Sequence, residues 1–163
     1  MTLHLTTEER AFLVGDHGEA VSLAMRILVS AAELLGAKAL VRITSAHIDG
    51  CLHHGDGGVE FAEKLVATGG RVAVPTTLNV GALDLLHPDT VRADPSKLAM
   101  ARRQMDAYVS IGAEPTFTCA PYQVGHQPAF GEQVAWGESN AIAFANSVLG
   151  ARTERYGDFL DAC

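Results

Sequence analysis

Ala39-Leu-Val-Arg-Ile-Thr-Ser-Ala-His-Ile-Asp-Gly50 is the stretch whose reading decides the fold. Residues 39–43 form a short apolar run after the turn at Gly36, the pattern of a buried strand. Thr44-Ser-Ala-His-Ile-Asp-Gly50, directly behind it, is polar and specific. The same change of character recurs twice. Arg71-Val-Ala-Val74 reads as a second strand stopped by Pro75, and Pro75-Thr-Thr-Leu-Asn79 follows it. Residues 115–119 read as a third strand, and Cys119-Ala-Pro-Tyr122 follows that.

Helical patterns fill the space between. Thr6-x-x-Glu9 is a capping box that opens a short helix ending near Gly15. Val21, Ala24, Leu28, Ala31 and Leu35 recur at three- and four-residue steps, predicting a helix over 18–35 with Gly36 as its stop. A helix over 59–67 turns Phe61, Leu65 and Val66 inward and ends at Gly69-Gly70. Asp94 is an N-cap and Pro95 a first-turn residue for a helix that runs to Ile111 and ends at Gly112. Residues 139–149 read as a helix closed by Gly150, and a last helix begins at Gly157.

Strands that alternate with helices imply a parallel sheet joined by right-handed crossovers. The fold class expected is therefore α/β: three layers, with parallel strands flanked by helices. No repeat, low-complexity stretch or linker divides residues 1–163. Asp158-Phe-Leu-Asp-Ala-Cys163 opens an amphipathic helix without a C-cap, and three strands make a narrow sheet. Both features lead to the expectation of an incomplete domain, truncated or completed by another chain.

Composition narrows the function classes. The 163 residues are 48% hydrophobic and 19% charged, a globular balance with room for a sizeable core. The net charge is -7, and Arg102-Arg103 is the one adjacent basic pair, so a basic nucleic-acid face is not expected. No apolar run approaches the roughly 20 residues that span a bilayer. Met-Thr-Leu-His-Leu-Thr-Thr-Glu-Glu-Arg10 lacks a signal-peptide layout, so the expected location is the cytoplasm. Cys51, Cys119 and Cys163 are odd in number, which argues against a disulfide framework. Dinucleotide-binding, P-loop, hydrolase-elbow and zinc-protease motifs are all missing from the chain.

In parallel α/β sheets ligands bind beyond the carboxyl ends of the strands. The three polar segments should therefore gather on one edge. His47 reads as a general acid/base or as a hydrogen-bonded core histidine. Cys51 with His53 and His54 has metal-ligand chemistry, but no second half with zinc spacing follows. Thr76, Thr77 and Asn79 suit either a pocket or a turn. Cys119 is placed to reach a metal, or is a small buried hydrophobe. A fourth segment, Trp136-Gly-Glu-Ser-Asn140, opens a helix whose free amides suit a carboxylate or phosphate, unless Ser139 or Asn140 only caps it.

SAHIDG (45–50), VPTTLN (74–79), TFTCAPYQ (116–123) and the run from Gly131 to Phe159 resemble, in order and spacing, the N-terminal part of the catalytic portion of the aconitase X family. So does the opening LTTEERAFLVGDHGEAVSLAMRIL (5–28), and together these cover nearly the whole chain. The resemblance implies an aconitase-like fold and a hydro-lyase that removes water from a small hydroxy acid. It implies cis-3-hydroxy-L-proline or mevalonate 5-phosphate as substrate, an iron–sulfur cluster, and a small subunit or fused domain as partner. By the same resemblance Cys119 ligates the cluster, while Gly50, Cys51, Leu52, Asn79, Val80, Glu138 and Ser139 line the substrate pocket.

A cluster needs three or four protein ligands, so the others are expected outside this chain, together with the rest of the catalytic portion. The isolated chain is then expected to be inactive, and the rival reading is a non-catalytic fragment or binding module. None of the four polar segments carries Lys or Arg, which favours the hydroxyproline over the phosphate substrate. In the expected chemistry Asn79 and the amides near Ser139 grip the substrate carboxylate, and His47 handles a proton.

Overall fold

The computed structural model describes residues 2–50, 55–79, 83–156 and 160–163. Helices α1 (Thr7–Val14) and α2 (Glu19–Leu34) form a hairpin turned by Gly15, whose φ of 95° suits a residue without Cβ. Thr6 and Glu9 close the predicted capping box: the Glu9 amide donates to Thr6 Oγ1 at 3.2 Å and the Thr6 amide to Glu9 Oε2 at 2.6 Å. Strands β1 (Ser45–Ile48), β2 (Thr76–Leu78) and β3 (Val134–Trp136) form one parallel sheet in the order β2-β1-β3. Helices α3 (Asp56–Ala67) and α4 (Pro95–Ser110) precede and follow β2, and α5 (Ser139–Phe144) follows β3.

The fold class expected from the sequence is the one found, with the strands displaced. Residues 39–43 are largely exposed and pair only through a bridge between His4 and Ala39. The strand lies in the next segment, Ser-Ala-His-Ile, all four residues of it buried. Residues 71–74 likewise lead into β2 and are not part of it. Residues 115–119 lie against the outer edge of β2 but form no strand; the bridge there comes from the residue before them, Glu114 with Thr77. Pro115 has no N–H to continue a ladder, and Phe117 turns away at a φ of 48°. The third strand is Val134–Trp136.

Side chains alternate across a strand, so each strand shows different chemistry to each side. Ile48 and Leu78, a register pair, enter a core with Ala20, Ala62, Leu65, Met105, Tyr108 and Ile111 from α2, α3 and α4. His47, Thr77 and Trp136, also paired in register, face the other way. There Val134 and Trp136 pack on Ala141 of α5, on Ala145 and on Ala151. The sheet is thus sandwiched: α3 and α4 on one side, α5 on the other. After Phe144 the helix loosens into a π-turn, Ala145–Leu149, closed by Gly150 at a φ of 70°. The helix predicted from Gly157 falls partly outside the described residues; its end is a single 3-10 turn, Leu160–Ala162. Among the described residues no helix is long and apolar enough to cross a membrane.

Candidate functional site

Backbone pairing brings the strand ends together. The Asn79 amide donates to the Ile48 carbonyl at 3.0 Å, and the Gly137 amide to the His47 carbonyl at 2.8 Å. Asn79, Asp49 and Gly137-Glu138 therefore leave the sheet side by side at its carboxyl edge. The Asp49 amide donates to Asp161 Oδ2 at 2.9 Å, which brings the last described turn onto the same rim. Gly137 is required by this crowding: a Cβ there would overlap the Asp161 carboxylate and sit 2.9 Å from Asp49 Cβ.

Glu138 is the hub. It caps the start of α5 with backbone angles of φ 67° and ψ 122°, a region rarely occupied by a residue with a Cβ. Its side chain makes no cap hydrogen bond and turns into the protein, where it is 7% exposed. Asn79 Nδ2 donates to Glu138 Oε1, and His47 Nε2 lies 3.6 Å from the same oxygen. That second distance is an ion-pair separation, longer than a direct hydrogen bond. On the far side of its ring, His47 Nδ1 is 2.7 Å from Thr77 Oγ1. His47 and Thr77 are almost fully buried, at 0% and 1% exposed. The His47–Thr77 and Asn79–Glu138 hydrogen bonds hold these buried side chains in one geometry, because losing either would leave unsatisfied groups.

This cluster corrects the expected placement of His47. It is not on a loop beyond a strand but in the interior of β1, beneath Glu138. The hydrogen-bonded histidine, one of the two readings of this residue, matches its surroundings. Asn79 and Glu138 are brought together as expected. Ser139 is the exposed first residue of α5, and neither it nor Asn140 caps the helix. Asn140 Nδ2 instead donates to the Cys119 carbonyl at 2.7 Å, tying the Cys119 loop to the helix that Glu138 opens. Cys119 is exposed, not the small buried hydrophobe. Tyr122 of the same loop stacks on Phe144, with ring centroids 3.7 Å apart and planes within 9°. Gly50 is buried beside Asp49. Cys51, Leu52 and Val80, with His53 and His54, lie outside the described residues.

Sequence reasoning passed over several members of the neighbourhood. Thr77, read as either a pocket or a turn residue, is instead the hydrogen-bond partner of His47. His126 stacks on Trp136 at 5.6 Å, and its half-buried ring is held below the usual histidine pKa, mainly by burial and then by the nearby His47. Asp161 carries no local signal at all. Near it, burial and then the Asp161 charge push the Cys163 thiol up to about 12 and raise the buried Tyr108 hydroxyl well above its usual value. That thiol stays protonated at neutral pH and is a poor metal ligand.

The family model described as the aconitase X first domain matches residues 2–163. The chain is 48% identical over 160 residues to the cis-3-hydroxy-L-proline dehydratase of Pseudomonas aeruginosa, covering 95% of this chain and 27% of that protein. It is 46% identical over 164 residues to the enzyme of the same name from Hypocrea jecorina, covering 100% of this chain and 27% of that one. The phosphomevalonate dehydratase large subunit of Thermococcus kodakarensis is 39% identical over 157 residues, covering 95% of this chain and 38% of that subunit. The crystal structure of the holo form of Thermococcus kodakaraensis aconitase X superposes with a TM-score of 0.83 at 38% identity, over 98% of this chain and 39% of that one. The chain thus spans about a quarter to two-fifths of the length of these relatives.

Proposed function

Because the chain belongs to the aconitase X family, matching its first domain over residues 2–163, we propose that it forms part of a hydro-lyase that dehydrates cis-3-hydroxy-L-proline. The observation that carries the reading is the rim where Asn79 and Glu138 meet at the carboxyl ends of parallel strands. The substrate assignment is supported by the relatives. The two named for cis-3-hydroxy-L-proline stand at 48% and 46% identity, and the phosphomevalonate subunit at 39%. It is supported too by the lack of Lys and Arg in the four polar segments, which offer no cationic side chain to a phosphate.

Removing water from a 3-hydroxy acid requires loss of the proton next to the carboxylate and departure of the hydroxyl. On this reading Asn79, Glu138 and Ser139 contact the substrate at the rim, and the family resemblance adds Gly50, Cys51, Leu52 and Val80. The Ser139 amide and the Asn79 side chain offer donors for the carboxylate, where charge builds as the proton leaves. An iron–sulfur cluster in this family reading supplies, when bound, the Lewis acid for the departing hydroxyl. Cys119 suits one corner of such a group: its thiol is exposed, and its loop is pinned to α5 by Asn140. One thiolate falls short of the three or four ligands required. Among the described residues no group of three His, Cys, Asp or Glu could hold a metal ion. The remaining ligands are assigned to the rest of the catalytic portion, with a small subunit or fused domain as partner, in the cytoplasm.

The test uses the complete enzyme with its partner, purified anaerobically and assayed separately with cis-3-hydroxy-L-proline and mevalonate 5-phosphate. Turnover of the first alone, with iron and turnover both lost in Cys119→Ser, is the expected result. Turnover of the phosphate ester alone would reassign the substrate. Full iron and activity in Cys119→Ser would remove the ligand assignment.

A further inference from the structure

Resting on that reading, we infer that His47 is a positioning residue that acts through Glu138, with Thr77 as its anchor, and does not itself meet the substrate. Three observations lead there. His47 is fully buried within the central strand, so its ring has no path to a ligand on the rim. Its two nitrogens meet different partners: Nδ1 is 2.7 Å from Thr77 Oγ1 and Nε2 is 3.6 Å from Glu138 Oε1. Glu138 has a backbone conformation that costs free energy, and such conformations persist only where the surroundings enforce them.

The hydrogen-bond inventory sets the directions. A Glu138 carboxylate only accepts, so its neighbours Asn79 and His47 must present donors. Asn79 does so through Nδ2. His47 does so if its proton sits on Nε2, which leaves Nδ1 as an acceptor for the Thr77 hydroxyl. The acceptor-only carboxylate favours this tautomer, and the Thr77 hydroxyl, which can donate or accept, meets it by donating to Nδ1. Asn79 Nδ2 donates to Oε1, and His47 Nε2 faces the same oxygen at 3.6 Å, which together orient the carboxylate. Because β1 and β2 hold His47 and Thr77 in register, the sheet itself transmits this alignment to the rim. Rigid second partners of this kind orient functional groups elsewhere in proteins, and small misplacements at a reacting centre are costly.

Thr77→Val keeps the shape of the side chain and removes the hydroxyl; Thr77→Ser keeps the hydroxyl. In the complete enzyme, Thr77→Val should lower kcat about 10-fold with KM within about twofold, and Thr77→Ser should recover most of that loss. His47→Gln should resemble Thr77→Val. Parent turnover of cis-3-hydroxy-L-proline reports on the dehydratase reading by itself, and the ratios among variants report on positioning. A thermal-unfolding cycle of His47→Gln and Glu138→Gln needs no substrate. The Glu138→Gln shift in Tm should differ by several degrees, roughly 3 °C or more, between the parent and the His47→Gln background. Additive shifts, or a Thr77→Val enzyme with parental kcat, would overturn the inference. So would equal losses in Thr77→Val and Thr77→Ser.

Discussion

The two faces of the sheet use neighbouring residues for opposite purposes. Ile48 and Leu78 look toward α3 and α4 and join an apolar core. His47 and Thr77, one residue earlier on each strand, look the other way and join a buried polar line that ends at Glu138. Period-2 alternation is all that separates them. Burial of apolar surface supplies stability on the first face, whereas the second accepts the cost of buried polar groups to hold a carboxylate in place. Stability and chemistry are thus divided within a four-residue strand, and substitutions should sort by face.

The largest expected change on the apolar face comes from Leu65→Ala, at a site 4% exposed in α3. Denaturant unfolding should show a loss of about 2–5 kcal/mol. The folded enzyme should still turn over within about twofold of the parent. A kcat reduced as far as in rim variants would break the division between faces. Gly137→Ala lies between the two, where a new methyl meets Asp161 and Asp49. It should cost about 1–3 kcal/mol and also lower turnover, since the residue adjoins Glu138. Loss of stability without loss of turnover would detach the rim from the site.

The smallest effect is in pH. The His126 pKa is depressed from 6.5, chiefly by burial, so the unfolded chain binds the proton more readily than the folded one. Its contribution is present above 6.5 and is lost as pH falls from there through the depressed folded value. Thermal melts at stepped pH should show Tm falling on acidification, with a shallower slope in His126→Gln. An identical slope would remove His126 from the polar face's electrostatics.

Much of this architecture was legible in the sequence. The capping box at Thr6 and Glu9, the glycine stops, the Asp94-Pro95 helix start and the parallel α/β order follow from local chemistry that tertiary packing left alone. Strand positions were not legible, because apolar runs were taken to mark burial. In this sheet the buried strands are Ser-Ala-His-Ile and Thr-Thr-Leu, whose polar pair, His47 and Thr77, hydrogen-bonds across the sheet between residues 30 apart. No window of sequence contains both His47 and Thr77. The convergence of Asn79 and Glu138 was foreseeable from topology, since carboxyl ends of parallel strands meet whatever their exact boundaries. Asp161 was not, because its place on the rim depends on a contact with Asp49 that spans 112 residues.

The most direct test of a catalytic rim supported by a polar sheet face is Glu138→Gln in the complete enzyme, read as kcat/KM and unfolding midpoint together. The account predicts a fall of about 100-fold or more in kcat/KM, with a midpoint shift of only a few degrees, roughly 5 °C at most. Turnover close to the parent's in a well-folded Glu138→Gln enzyme would contradict it.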